Sequence, residues 1–205
     1  MKVLLKLDGR TTSDGAPLVM HNERLADPLD EFVRAIAEIT AKRKKSEADH
    51  EEVGRLEFFG GLYTEPGITG PDDVNGQKPC LPAWNILRCL QDGASIHKRG
   101  LDVLRGVHPI SISAPLIYEG PQSATKLWLA PEFRLRKSVG IQRRRVARTR
   151  PMFVNWQCEL AIEVDPVVFD LHVLKKCWAD AGLYRGLGEM RPVYGRFKGM
   201  IEEEK

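Results

Sequence analysis

The chain has few of the patterns that announce a catalytic or metal centre. Its four cysteines, Cys80, Cys89, Cys158 and Cys177, form no C-x-x-C pair. None of the five histidines stands at zinc-finger spacing from them, so no structural zinc site is expected. The cysteines read instead as buried, reduced thiols of a cytosolic protein. No H-E-x-x-H or Walker pattern occurs, and no catalytic residue, metal or cofactor is expected. No apolar run approaches the roughly 18 residues of a membrane span. The opening MKVLLKLDGR is broken by Lys6 and Asp8 and does not read as a secretory signal, so the expected location is cytoplasmic. No internal repeat is visible. The most informative shortage is local: from Phe133 to Cys158 there is no acidic residue at all.

That stretch holds Arg134, Arg136, Lys137, Arg143, Arg144, Arg145, Arg148 and Arg150. The whole chain carries only +3, so the positive charge is concentrated on one element and the remainder is acidic. Seven of these eight are arginine, whose planar fork pairs with phosphate and stacks on bases. Such clustering on a near-neutral protein points to a polyanion, most commonly nucleic acid; the alternative is a solvated hairpin balanced by counter-ions. Composition is otherwise that of a globular protein, with 42% hydrophobic and 29% charged residues. The length fits a single domain over 1–205, or one domain with an insertion.

Periodicity gives the elements. Val3–Leu7 reads as a strand, Ala16–Met20 as a short apolar run, and Asp27-Pro28 as the cap and first position of a helix with Leu29, Phe32, Val33, Ile36 and Ile39 on one stripe. The basic run Lys42–Lys45 suits that helix's C-terminal end. Residues Ala48–Phe59 extend the helix or begin another, ended by Gly60-Gly61. Glu65–Pro79 is an exposed loop. Pro82 opens a helix through Gln91 that Gly93 closes; Lys98–Val107 is helix or loop.

From Ile110 the chain turns β-rich: Ile110–Tyr118, then an alternating run through Leu127, Leu129, Phe133 and Leu135 with Pro131 at an edge or bulge. A turn at Lys137–Gly140 and a return strand Ile141–Arg150 make a protruding basic β-hairpin over 126–150. Arg143 and Arg145 face one way, Arg144 and Arg148 the other. Val154 to Val164 alternates with period two. Asp165-Pro166 starts a helix with Val168, Leu171, Leu174, Trp178 and Ala181 buried, Gly182 stops it, and Arg196–Ile201 is the last strand. Strand, helix, glycine-rich loop and strand form half of a split β-α-β unit. The expected class is α+β, a ferredoxin-like (RRM-like) core with an inserted basic β-hairpin.

Two further places carry candidate chemistry. The segment Gly182–Phe197 combines Gly186 and Gly188 with Arg185, Arg191, Arg196 and Tyr194. Its glycines permit close backbone approach, so its N–H groups and arginines suit phosphates, or it is a long turn stiffened by Pro192. It follows a helix and precedes a strand, unlike the dinucleotide fingerprint. On the second helix, Trp84 and Arg88 are one turn apart beside Asn85. They form a stacking clamp for a single strand, or Trp84 is core.

Three segments, in order, resemble the RAMP superfamily of CRISPR-associated proteins, especially the backbone subunits that coat guide RNA. Ala16-Pro17-Leu18-Val19-Met20-His21 is similar to that family's early small-Pro-Leu run. Leu81 to Arg88 is similar to its helix opening that contacts the RNA backbone, with Trp84 and Asn85 where Ser and Gly-Lys are usual. Gly186 to Phe197 is similar to its C-terminal glycine-rich loop. The spacing also resembles phage proteins of this shape. The resemblance implies a protein without catalytic residues that coats single-stranded RNA or DNA, RNA preferred. Copies would assemble head-to-tail as a homo-oligomer, with other complex subunits, and the hairpin would act as the protruding thumb. Two alternatives follow: a metal-independent endoribonuclease of the same superfamily with His21 as base, or a phage structural or inhibitor protein whose arginines meet acidic protein surfaces.

Overall fold

The computed structural model describes residues 1–10, 15–74, 78–141 and 144–203, with Ile141 and Arg144 described through their backbone. The elements in chain order are β1 (Lys2–Gly9), β2 (Leu18–Val19), α1 (Glu31–Ala41), α2 (Glu47–Gly61), β3 (Thr64–Glu65), β4 (Lys78–Pro82), α3 (Ala83–Ile96) and α4 (Gly100–Gly106). Then come β5 (Val107–Pro109), β6 (Ser113–Ile117), α5 (Ala124–Leu129), β7 (Arg134–Ile141), β8 (Arg144–Phe153), β9 (Trp156–Val164), α6 (Leu171–Asp180) and β10 (Lys198–Glu203). The class is α+β, with antiparallel strand pairing and several helices. No helix among the described residues is long and apolar enough to cross a membrane.

The chain divides into two compact units. The first comprises Met1–Leu18, Cys80–Glu119 and Phe153–Lys205; the second comprises Val19–Pro79 and Gly120–Met152.

In the first unit the strands run β10-β1-β9-β6-β4, each antiparallel to its neighbour, with β5 also on β9. The alternation read from Val154 holds within β9, where Trp156, Cys158, Leu160, Ile162 and Val164 are buried, whereas Val154 precedes the strand and is exposed. Val3, Leu5 and Leu7 of β1 are buried too, in register with Ile162, Leu160 and Cys158. One apolar face of this kind needs a cover. Leu174, Cys177 and Trp178 of α6 and Ile86, Cys89 and Leu90 of α3 are among the buried positions of those two helices, which pack on each other. Trp178 donates from Nε1 to the Lys6 carbonyl at 3.1 Å, and Trp156 donates to the Ala16 carbonyl at 2.9 Å. Phe197 lies between the two indoles, 6.0 and 4.9 Å from their centroids.

In the second unit β8 lies between β2 and β7. The pairing of β7 with β8 runs from Arg134–Pro151 to Ile141–Arg144. Helix α2 starts on a capping box: the Ser46 hydroxyl accepts from Asp49 N–H, and Asp49 accepts from Ser46 N–H. The Lys42 ammonium, followed by Ser46, holds the Asp49 carboxyl down at about 2. Phe58, Phe59 and Trp128 form an aromatic cluster with centroids 5.4–6.2 Å apart. Glu57 is 2% exposed, accepts from Arg148 Nη1, and accepts from Thr149 N–H at 2.8 Å.

Several expected boundaries move, each for a local reason. Helix α1 is capped by Asp30 rather than Asp27, whose carboxylate instead closes a turn onto Leu29 N–H. Helix α6 is capped by Asp170, while Asp165 closes a turn onto Val167 N–H. An Asp-Pro pair thus marks a turn just ahead of each helix. Gly93 does not end α3: it is buried inside it, where a side chain would overlap Ala181. Gly60-Gly61 likewise belongs to α2. Residues 100–106 are helical, β5 (Val107–Pro109) follows directly, and Ile110–Tyr118 is a bend leading into β6. The run from Leu127 is helix α5 plus a helical turn at Pro131–Phe133, because Leu127 and Phe133 reach the core from helical turns rather than by alternation. Lys137–Gly140 is paired strand rather than a turn, and residues 142–143 lie outside the described residues.

All four thiols are free and buried. Burial pushes Cys89 and Cys158 up to about 12 and Cys177 upward as well. The native protein is therefore expected to resist a disulfide-exchange reagent at neutral pH and to react at four thiols once denatured; counting released thiolate checks this. Glu57→Ala should cost about 2–3 kcal/mol in denaturant unfolding, since it leaves the Arg148 charge and the Thr149 N–H without their acceptor.

Candidate nucleic-acid interface

The glycine-rich loop is built by its own backbone. A π-helical turn, Ala181–Arg185, follows α6, and Gly186 ends it with φ of +70°. Gly188 and Gly195 also have positive φ, +79° and +74°, the region glycine enters without a Cβ penalty. Leu187 N–H donates to Gly195 O, Gly186 N–H to Ala181 O and Gly195 N–H to Pro17 O. These three donors already serve the chain, so they are not open to phosphate as the sequence suggested. A side chain on Gly195 would overlap the Leu187 carbonyl. The loop is thus a rigid frame, and its chemistry lies in its side chains.

That frame gathers the three sequence segments. Pro17 and Ala16 are tied to the loop through Gly195 N–H and through Ala16 N–H donating to Arg196 O, both within 2.9 Å. On α3, the Cys89 thiol lies 3.2 Å from the Gly186 carbonyl. One turn away, Asp92 collects three arginines. Arg88 Nε is 3.1 Å from its Oδ1 and Arg191 Nη1 is 3.5 Å from its Oδ2, while Arg185 Nε donates to its carbonyl at 3.2 Å. Arg191 also reaches Gly186 O at 3.4 Å. Three guanidinium groups against one carboxylate leave an excess of positive charge at the surface. The side chain of Arg88 is 69% exposed. Trp84 on the same helix is 52% exposed, and Tyr184 in the π turn 58%. Asn85, Tyr194 and Arg196 are half-buried and Gly188 is exposed. Exposed aromatics flanking arginines are what a single strand needs: a surface to stack on and charge for its backbone. Asp92 was missed from sequence because a lone aspartate mid-helix carries no pattern.

The basic hairpin is less uniform than its sequence. Arg136, Lys137 and Arg145 are exposed. Arg134 lies over the Trp128 ring at 4.5 Å and 3.5 Å from Glu51. Arg148 and Arg150, expected among the phosphate contacts, face inward. Arg148 serves Glu57, and Arg150 is 7% exposed with Nη1 on the Thr149 carbonyl. Arg144 is placed by its pairing with Ile141, and Arg143 lies outside the described residues. His21 is half-buried and its carbonyl accepts from Tyr63. Among the described residues no group of three His, Cys, Asp or Glu is arranged to hold a metal ion.

A comparison with known families finds no family model that matches the chain, and no curated protein matches it. The reading of this surface therefore rests on its own chemistry.

The cluster makes a signed prediction. Arg88→Ala and Arg191→Ala should each weaken binding of a labelled single strand with little change in melting temperature. Asp92→Asn should tighten it several-fold by removing the competing carboxylate. Fluorescence anisotropy at fixed salt reads all three.

Proposed function

We propose that the protein binds single-stranded nucleic acid, RNA by its resemblance to the RAMP backbone subunits, as a repeated subunit along the strand. The convergence of Arg88, Arg185 and Arg191 on Asp92, beside exposed Trp84 and Tyr184, carries this reading. The helix opening and the glycine-rich loop are the two segments whose resemblance implies RNA contact, and they meet at this cluster.

The strand order supports the finer fold assignment. Taking β1, β6, β9 and β10 as the four strands, with α3 between the first two and α6 between the last two, the antiparallel order β10-β1-β9-β6 suits a ferredoxin-like core. In the second unit, exposed Arg136, Lys137 and Arg145 suit the thumb role of the hairpin. Binding of this kind reads phosphates and stacked bases, so it is weakly sequence-specific. Copies in head-to-tail contact form an open array whose length follows the strand. The reading places the protein in the cytoplasm, with RNA left uncleaved.

Titration with labelled single-stranded RNA of mixed sequence tests the proposal. With about five phosphates contacted, affinity should fall roughly a hundredfold between about 50 and about 200 mM salt. The combined Arg136→Ala, Lys137→Ala and Arg145→Ala variant should bind less tightly and show a flatter salt slope while melting as the parent does. Particle size by light scattering should grow with strand length. RNA affinity insensitive to salt, or a fixed closed oligomer at every strand length, would overturn the coating role.

A further inference from the structure

The second unit contains a recess at the foot of β7 that shares Arg136 with the proposed strand-binding hairpin. It has a volume of about 330 Å³ and is lined by Glu51 and Gly54 of α2, Trp128 of α5, Arg134 and Arg136 of β7, and Thr149 of β8. A neighbouring recess of about 560 Å³ shares Glu51 and Arg136 and adds His50. Pockets of this size suit one small ligand. Gly54 opens the first recess: a Cβ there would sit 3.0 Å from Thr149 Oγ1 and 3.9 Å from the Trp128 ring.

Its lining sets charged and polar groups, Glu51, Arg134, Arg136 and Thr149, beside Trp128 and Pro131. The Arg134 guanidinium lies over Trp128 at 4.5 Å, which leaves its other face as a flat cationic platform. Arg136, 53% exposed, stands 3.9 Å from Glu51, a separation that holds neither group tightly. Glu51 is 3.5 Å from Arg134. One recess thus offers a stacking plane, an exposed guanidinium and a carboxylate acceptor.

We infer that this recess is a ribonucleotide site. The base stacks on Arg134, whose plane Trp128 fixes. Arg136 swings from Glu51 to the phosphate, a charge-assisted pairing. The Glu51 Oε2 that faced Arg136 then accepts from the ribose 2′-hydroxyl, the group that separates RNA from DNA, while Oε1 stays beside Arg134. A purely anionic ligand would meet Glu51 unfavourably, and a purely cationic one would meet two arginines. A nucleotide has an acceptor-rich end, a flat ring and hydroxyl donors to match all three. The site lies wholly in the second unit and takes one residue rather than a strand, so it stands independently of the Asp92 cluster.

The ligand source is a free 5′-ribonucleotide or the 5′-phosphorylated end of a strand, which present the same groups. Calorimetric titration of the full-length protein with the four ribonucleoside 5′-monophosphates, their nucleosides and their 2′-deoxy forms tests the site. A short 5′-phosphorylated RNA and a circular RNA distinguish the sources. The expected result is binding of monophosphates about tenfold tighter than of nucleosides, the size of one charge-assisted pairing. Arg136→Ala should erase that phosphate preference, and Glu51→Gln should erase the preference for ribose over deoxyribose. Both are surface substitutions, and thermal melts confirm that each variant folds. A linear 5′-phosphorylated strand outbinding the circle only with Arg136 present identifies the strand end; equal binding of the two RNAs with retained mononucleotide affinity identifies the free nucleotide. No heat from any monophosphate at millimolar concentration, or preferences untouched by both substitutions, would overturn the site. The circular RNA reports separately on strand binding, because it has no end to offer.

Discussion

Strand β9 is the element against which the first unit is registered. It pairs with β1 along its length and also receives β5 and β6. Its period of two leaves no choice of face: a shift of one residue would turn Trp156, Leu160 and Ile162 to solvent and Gln157, Glu159 and Glu163 to the core. With β9 fixed, β1 is fixed opposite it and β10 beyond β1. Helix α6 then covers this layer through Trp178, whose indole N–H is anchored on the β1 backbone. Everything that positions the glycine-rich loop descends from that register, because the loop is the connection from α6 to β10.

The functional surface is a consequence of how backbone polarity is satisfied there. A π turn and three glycines at positive φ let the loop close on itself. The N–H groups of Gly186, Leu187, Tyr194, Gly195 and Phe197 are consumed in doing so. What remains for a ligand is a rigid presentation of Arg185 and Arg191 next to Arg88. Asp92 draws the three together, which lowers the repulsion among like charges and gives each a defined direction. A bound phosphate would compete with that carboxylate, so the geometry is poised by a mild internal competitor rather than left open to any anion.

The hairpin illustrates the opposite use of arginine. Eight basic residues in one stretch look alike in composition, yet their environments separate them. Arg148 neutralises a buried carboxylate, Arg150 is enclosed, and Arg134 is stacked on Trp128. Glu57 gives this arrangement its logic. A carboxylate at 2% exposure needs donors, and it takes one from a side chain and one from the β8 backbone. That fastens β8 to α2 at Arg148 and Thr149, directly opposite the exposed Lys137 and Arg136 of β7, while Arg145 lies farther along the hairpin.

The elements with strong periodicity were legible from the residues: β1, β9, the body of α1, α3 and α6, and the strand at the C-terminus. So were the buried thiols, the exposure of Arg88 and the need for glycine at Gly186 and Gly188. These follow from local rules, in which alternation, turn chemistry and φ preference act over a few residues. Helix starts were misplaced because Asp27-Pro28 and Asp165-Pro166 satisfy a cap rule that Asp30 and Asp170 satisfy better three and five residues later. Gly93 was read as a stop because its reason, close approach to Ala181, lies 88 positions away in the chain. Asp92 and Glu57 carried no signal for the same reason. By itself the sequence determined the strongly periodic strands and helices and that arginine is concentrated between Phe133 and Cys158. Only the tertiary structure decided which arginines face solvent, which are consumed by carboxylates, and that Arg88 meets Arg185 and Arg191. Charge is a property of a residue, but its availability depends on the partners that distant segments bring within about 4 Å.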